Sequence, residues 1–230
     1  MNFQIYTMYV NRKDLLQDAI RSVGPYENRL VVLDNSLTQD LALEGFSGEI
    51  FKPHAPLFCN QSYNLILKLA QQREQPVFFI MHSDAVVSQE VIEKLLVIAE
   101  TLTQQQRRWG VLFTSHDVLC LCNTEILKDF LWDQYLPLYY TDVDYYYRLR
   151  LAGVEVLETH LSVGHQEGGS TTLQADLALK TFVQSNYSAW QHYYREKWGG
   201  ERDQERYTQP FNQTIPLPNV SVTLRPAQHG

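Results

Sequence analysis

The stretch Phe78–Val87, FFIMHSDAVV, decides the fold that this sequence predicts. Its apolar residues stand at consecutive positions, as in a strand covered on both faces, and such strands are typical of parallel sheets. The run then ends in His82, Ser83 and Asp84. It can end there because the strand simply leaves the core, or because the strand delivers metal- or phosphate-binding groups to the rim of a sheet.

Strand and helix patterns alternate around this stretch. Strand patterns occupy residues 3–10, 29–36, 49–54 and 76–82, and helical patterns occupy residues 12–23, 37–43, 60–72 and 91–102. Such alternation predicts an α/β fold with a doubly wound, mostly parallel sheet and helices on both faces.

The second half of the chain has a different pattern. Residues 109–115 and 117–123 are two closely spaced strand patterns, which we expect to form a small antiparallel portion of the sheet. A long C-terminal helix is expected over residues 172–198, and four prolines follow it. We predict one domain over residues 1–200 and an irregular C-terminal extension over residues 201–230.

Composition excludes several classes of protein. The 230 residues are 44% apolar and 20% charged, as in a globular domain with a substantial core. The net charge of −7 gives no electrostatic basis for binding nucleic acid. No apolar run is long enough to span a membrane, and the first residues lack the order of a secretion signal, so we expect a cytoplasmic protein. The three cysteines are expected to be buried free thiols.

Three of the predicted strands are followed by polar residues. These are Asn11 after the first strand, Asp34-Asn35-Ser36 after the second, and His82-Ser83-Asp84 after the fourth. Ligands of doubly wound sheets bind beyond the carboxyl ends of the strands, so these side chains are candidates for one cleft. A plainer interpretation is also open, because Asp, Asn and Ser favour turns.

A longer pattern in the second half resembles a known family. Residues 140–171, YTDVDYYYRLRLAGVEVLETHLSVGHQEGGST, resemble the carboxyl-terminal signature of family-2-type glycosyltransferases with the GT-A fold. Residues 7–23 resemble their first strand and helix, residues 31–36 resemble their nucleotide-contacting strand end, and Asn64 resembles the asparagine of a later helix. The resemblance extends over residues 3–198.

This resemblance implies an enzyme with a GT-A Rossmann-like sheet. It would transfer a sugar from a nucleotide-diphosphate donor to a hydroxyl group of a glycan or another acceptor, with inversion. Nothing in the sequence identifies the donor nucleotide, the sugar, the acceptor or the oligomeric state.

The resemblance also implies a divalent cation beside the donor diphosphate. FFIMHSDAVV falls where the family carries Asp-x-Asp, so His82 and Asp84 are candidate ligands, and His165 matches a histidine that often joins them. Imidazole favours Mn²⁺ over Mg²⁺. Here His82 replaces an aspartate, which removes one anionic ligand and leaves open that His82 contacts the diphosphate directly.

Asp142 matches the acidic residue that acts as the catalytic base in the family. A base must stand near the acceptor oxygen, and it contributes about 10²–10⁴-fold to the rate. The competing interpretation is structural, because Thr141-x-x-Asp144 resembles a capping box at a helix start. We assign Asp142 as the base and Asp144 as a helix cap or structural acid.

The remaining candidates are residues expected to bind the substrates. Asp34 is expected to accept hydrogen bonds from the nucleoside, and Trp132 is a candidate stacking platform for an acceptor sugar. The other candidates follow from strand ends or from the family pattern, and they are Thr7, Asn11, Asn64, Ser83, Gly168, Gly169 and Ser170.

Two other functions remain open at this point. The substitutions in the metal and acidic motifs also fit a nucleotide-sugar-binding module that has lost catalysis. A nucleotidyltransferase on a similar sheet is the weaker alternative, because residues 9–14, YVNRKD, lack the glycines of a phosphate-binding loop.

Overall fold

A central mixed sheet of seven strands organises the chain in the computed structural model, which describes residues 2–36, 40–166 and 176–213. The strands are β1 (Ile5–Tyr9), β2 (Leu30–Asp34), β3 (Glu49–Phe51), β4 (Val77–Met81), β6 (Trp109–Phe113), β7 (Leu119–Asn123) and β8 (Glu155–Glu158). Their order is β3-β2-β1-β4-β7-β6-β8. Two short strands, β5 (Ala85–Val86) and β9 (Gly164–His165), pair separately.

The sheet is mostly parallel, with one reversed strand. β7 runs antiparallel to both of its neighbours, β4 and β6, and the other pairs are parallel. The predicted antiparallel portion at residues 109–123 is therefore confirmed. All five residues of β4 are buried, as its continuous apolar run predicts for a strand covered on both faces.

Helices cover both faces of the sheet. They are α1 (Lys13–Ser22), α2 (Cys59–Gln72), α3 (Gln89–Gln104), α4 (Thr124–Leu127), α5 (Thr141–Leu151) and α6 (Leu177–Trp198). Leu16 of α1 and Ile92 of α3 pack into the core on one face. Ile66 of α2 and Tyr145 of α5 pack into the core on the other. The predicted α/β fold with a C-terminal helix is confirmed.

The strand order creates a crevice between β1 and β4. From β1 the chain continues to β2 on one side, and it later returns to β4 on the other side of β1. Such a reversal of strand order leaves a gap beyond the carboxyl ends of the two strands, where open α/β sheets bind their ligands.

A buried lysine fastens α6 to the rest of the domain. Lys197 has no exposed surface, and its Nζ lies 2.7 Å from Asp133 Oδ2 and 2.6 Å from Asp144 Oδ1. Asp144 also accepts hydrogen bonds from Arg148 Nε and Trp198 Nε1, each at 2.8 Å. Two carboxylates thus face two cations, which keeps the buried group close to neutral.

The pKa of Asp144 reflects this arrangement. Burial alone raises it, but the charges of Arg148 and Lys197 outweigh burial and lower it. A lowered folded-state pKa means that the carboxylate stabilises the fold above its unfolded-state pKa of about 3.9. That stabilisation is lost as the pH falls through the folded-state value.

Residues 201–213 pack against α5 and α6. The amides of Arg206 and Tyr207 donate to the Trp198 carbonyl, and the Tyr147 hydroxyl donates to the Tyr207 carbonyl at 2.9 Å. This part contains one turn of 3-10 helix, Pro210–Asn212. The division at residue 200 stays a prediction.

Replacing the buried lysine tests how much this network stabilises the fold. Lys197→Met keeps the length of the side chain but leaves two buried carboxylates undercompensated, so we expect the free energy of unfolding to fall by about 3–5 kcal/mol. Urea denaturation measures this. Lys180→Met, at an exposed position of the same helix, is the control and should change stability by less than about 0.5 kcal/mol. Equal effects of the two substitutions would contradict the assigned role.

Candidate active site

His82, Asp84 and His165 converge at the carboxyl end of β4. One ligand atom from each lies within 4.8 Å of the others, and His165 Nε2 is 3.1 Å from Asp84 Oδ1. The rings of the two histidines are 5.6 Å apart. Residues more than 80 positions apart in the sequence therefore meet as the sequence analysis expects.

Backbone contacts place these three side chains. His82 follows β4, and its amide donates to the Val118 carbonyl at 2.9 Å, which ties the strand end to β7. The Ala85 amide then closes a turn on the His82 carbonyl at 3.2 Å. β5 pairs Ala85 with His165, so that the imidazole stands beside Asp84.

Gly164 allows a close approach to Val86 where β5 and β9 pair. A Cβ atom added there would lie 3.1 Å from Val86 Cβ and 3.4 Å from the Val86 carbonyl oxygen. A side chain at this position would require Val86 to shift by a few tenths of an ångström.

The three side chains fit a divalent cation. Ligands on adjacent corners of an octahedral ion lie about 3 Å apart when each is about 2.1 Å from the metal, which is close to the observed separation of His165 and Asp84. Burial lowers the pKa of His82, and the neighbouring His165 adds to this against the opposing charge of Asp84. A neutral imidazole is the form that binds metals. Two imidazoles and one carboxylate favour Mn²⁺ or a later transition ion over Mg²⁺.

A cavity of about 610 Å³ opens beside these residues in the crevice between β1 and β4. Met8 and Val10 line it from the end of β1, and Leu179 and Phe182 line it from α6. His82, Ser83 and Asp84 form its polar side, and Pro56, Leu57 and Phe58 add to its apolar side. A largely apolar cleft with a few converging polar groups is the usual form of a small-molecule site.

At the end of β2, Asn35 lines the cavity. The carboxylate of Asp34 lies within the fold, where it accepts from the amides of Ser36 and Leu41 and pairs with Lys52 Nζ at 3.1 Å. Burial acts to raise the pKa of Asp34, but these donors outweigh it and lower the pKa. Consecutive strand residues point to opposite faces, which explains why Asn35 reaches the cleft and Asp34 packs on the other side.

Other predicted residues take structural positions. Asn64 holds the backbone of Trp132 by two hydrogen bonds, of 2.7 and 3.0 Å. Trp132 is 4% exposed and stacks on Tyr145 at 3.6 Å, away from the cavity lining. Thr7 is buried in β1, and its hydroxyl has no hydrogen-bond partner among the residues that the structure covers.

The last substrate candidates lie at the rim or beyond the described part. Asn11 is exposed and donates to Asp176 Oδ2 at 3.4 Å, and Asp176 itself lines the cavity. Ser83 lines the cavity directly. Gly168, Gly169 and Ser170 lie outside the described residues.

Asp142 stands half-buried in the first turn of α5. Its negative charge acts on His82 and on Cys59, both of which line the cavity. The capping box predicted from Thr141 and Asp144 is wrong. The N-cap is Tyr140, whose φ is 64°, and Asp144 is held by Arg148 and Lys197 instead.

The sequence analysis missed one acidic residue whose pKa responds to the charge of Asp142. Asp117, in the turn between β6 and β7, interacts with the charge of Asp142, and a hydroxyl from α5 reaches its carboxyl group. No motif contains it. Its only signal was a polar residue directly before the apolar run of β7.

Comparison with solved structures decides the fold. S. aureus TarS superposes with a TM-score of 0.53 at 12% identity, over 80% of this chain and 40% of that one. GalNAc-T7, solved with UDP, GalNAc and Mn²⁺, superposes with a TM-score of 0.53 at 11% identity, over 85% of this chain and 50% of that one. CMP:2-keto-3-deoxy-manno-octonic acid synthetase superposes with a TM-score of 0.53 at 10% identity, over 80% of this chain and 100% of that one.

The chain has a GT-A-like α/β fold. It spans less than half the length of TarS, and at these identities the likeness concerns the fold alone. Neither a protein-family model nor a curated protein matches the sequence. Within the described ranges, none of the helices has the length and apolar character needed to cross a bilayer.

Loss of a ligand side chain tests the metal site directly. We expect Asp84→Asn and His165→Gln each to weaken Mn²⁺ binding at least about tenfold, since even the loss of an outer-shell partner commonly has that effect. Electron paramagnetic resonance of free Mn²⁺ during a titration measures the affinity without any substrate. His160→Gln is the matched control, because the His160 side chain is 82% exposed. Unchanged Mn²⁺ affinity in both ligand variants would rule out the site.

Proposed function

We propose that the protein is a glycosyltransferase that moves a sugar from a nucleotide-diphosphate donor to a hydroxyl group of a glycan or another acceptor. One observation carries this proposal. The His82, Asp84 and His165 cluster stands at the crevice of a GT-A-like sheet, where the charge of Asp142 acts on His82.

The cavity offers a place for the donor. Asn35 and the apolar side formed by Pro56 and Leu57 would hold the nucleoside, and the metal-binding cluster would hold the diphosphate. A divalent cation bound there, Mn²⁺ in preference to Mg²⁺, supplies positive charge to the leaving diphosphate. GalNAc-T7 was solved with UDP and Mn²⁺, and TarS with UDP-GlcNAc, which supports a donor of this class.

Asp142 would act as the general base. The acceptor hydroxyl loses its proton to the Asp142 carboxylate, and its oxygen forms a bond to the anomeric carbon of the donor sugar. The bond from that carbon to the diphosphate oxygen breaks, and the nucleoside diphosphate leaves with the electron pair. A single displacement of this kind inverts the anomeric configuration.

A binding module that has lost catalysis is the second candidate. Two observations favour it: His82 replaces an anionic ligand, and the Asp34 carboxylate is already engaged with Lys52. A cytidylyltransferase is the weaker alternative, since such an enzyme shares the fold at a TM-score of 0.50 but the loop after β1 carries no glycine.

Nucleotide binding is tested first. Thermal shifts with UDP, GDP and CDP, each with and without Mn²⁺, should show one nucleotide that raises the melting temperature and a larger rise with Mn²⁺. A ligand at 100 times its Kd stabilises the folded state by about 2.7 kcal/mol. If none of the nucleotides raises the melting temperature under either condition, the protein does not use a donor of this class.

Removal of the base separates catalysis from binding. Asp142→Asn keeps the size of the side chain, and we expect it to lower the transfer rate by about 10²–10⁴-fold while the nucleotide-induced thermal shift stays unchanged. Turnover of the matching nucleotide sugar, followed by release of nucleoside diphosphate, measures the rate. Asp129→Asn, at an exposed position, is the control. A wild-type protein that binds the nucleotide without turnover would be the binding module.

A further inference from the structure

A row of aromatic side chains continues from the cavity onto the outer surface of α6. At its inner end the ring centroids of Phe58 and Phe182 stack at 5.3 Å with an interplanar angle of 17°, and both residues line the cavity. Phe182 then contacts Trp190 at 5.6 Å. At the outer end, the ring of Tyr139 lies 6.4 Å from Trp190 and 5.3 Å from Tyr187. These five residues form the aromatic band.

The aromatic band presents two open platforms. Phe58, Tyr139 and Tyr187 are 40%, 38% and 41% exposed, whereas Trp190 is 7% exposed. One platform, Phe58 with Phe182, therefore stands at the cavity, and the other, Tyr139 with Tyr187, stands farther out with Trp190 between them. Exposed apolar side chains that lie together, rather than singly, are typical of binding sites.

The platforms rest on a rigid support. Trp190 belongs to the buried cluster that α6 forms with the segment before α5, together with Leu136 and Tyr194. The Tyr187 hydroxyl lies 3.5 Å from the Tyr140 hydroxyl, which holds the outer ring at its edge. Side chains that are already fixed lose little conformational freedom when a ligand binds.

The charge of the surrounding chain narrows the class of ligand. The band lies on residues 55–67, 134–141 and 181–191, and these segments contain no Asp, Glu, Lys or Arg, although 20% of the whole chain is charged. Membrane-binding faces and nucleic-acid sites combine their apolar or aromatic side chains with Lys and Arg. An uncharged aromatic surface with Asn, Gln and Ser around it instead fits a neutral polar ligand.

We propose that the aromatic band binds a neutral oligosaccharide, and that this oligosaccharide is the acceptor. The inference rests on the proposed function and gives it a substrate class. One face of a pyranose ring presents C–H groups that pack on an aromatic ring, while its hydroxyl groups stay at the edge. The terminal sugar stacks on Phe58 and Phe182, in the cavity that His82 also lines, and the next sugar stacks on Tyr139 and Tyr187. Two platforms therefore select an acceptor of at least two sugars.

Binding of the fluorescently labelled protein to a glycan array tests this class without any donor. The array carries neutral and acidic glycans as single sugars, disaccharides and longer chains. We expect the wild type to bind neutral glycans of two or more sugars, and to bind the matching single sugar about tenfold more weakly, because the outer platform then stays empty. Absence of binding to neutral glycans, or a preference for acidic ones, would overturn the proposal.

Variants of the outer platform separate ring stacking from a structural role. Tyr187→Ala should weaken binding to the disaccharide about tenfold and leave the nucleotide-induced thermal shift unchanged, because Tyr187 lies outside the cavity lining. Tyr187→Phe keeps the ring and should bind as the wild type does. Tyr135→Ala is the matched control, since Tyr135 is 56% exposed and its ring contacts Tyr193 instead of the band.

The outcomes distinguish this inference from the proposed function. A protein that binds nucleotide and turns over the donor but binds no glycan overturns the inference and leaves the function standing. A protein that binds the disaccharide through Tyr187 but binds no nucleotide supports the glycan site and contradicts the function. Equal effects of Tyr187→Ala and Tyr135→Ala overturn the inference. So does a wild-type dimer in sedimentation that Tyr187→Ala dissociates, because the band would then be an interface between two copies.

Discussion

The rest of the structure depends on the ion pairs of the Lys197 ammonium group, which is fully buried between Asp133 and Asp144. An ammonium group costs several kcal/mol to bury alone, and the two carboxylates offset that cost only when α6 is docked. The contact therefore sets the position of α6 and of the first turn of α5 at once. Asp142 precedes Asp144 by two residues, which at 100° per residue places it on the opposite face of the helix. Burying Asp144 thus turns Asp142 towards the side of the helix from which its charge acts on His82.

The acidic groups of the domain fall into two electrostatic settings. Asp34, Asp133 and Asp144 face lysine side chains, and this pairing makes them part of the scaffold. Asp117 instead has no lysine partner among the described residues, and burial together with the negative charge of Asp142 raises its pKa to about 7. A group of like charges persists in a folded protein only where the rest of the fold compensates for it, and such places are commonly sites of binding or catalysis.

The fold alone does not choose among the transferases that share it. Solved structures with this sheet include a sugar transferase with bound UDP and Mn²⁺ and a synthetase with bound CTP. The choice depends on side chains at the strand ends. Here these are two imidazoles and a carboxylate beside an apolar cavity, and the charge of Asp142 acts on one of the imidazoles. The proposed function therefore rests on those side chains, because a shared sheet fixes where a ligand binds and leaves the chemistry open.

The sequence by itself determined the α/β fold, the reversed strand near residues 117–123 and the meeting of His82, Asp84 and His165. Hydrophobic periodicity and the polar residues at strand ends are local properties of the sequence. The order of the motifs along the chain then predicted which of those polar residues would meet. Only the tertiary structure decided that Asn35 replaces Asp34 at the cleft, that Trp132 is packed in the core, and that Tyr146 reaches the carboxyl group of Asp117. These outcomes depend on which face of the sheet a side chain meets and on which distant helix lies opposite, and neither is encoded within a short window of residues.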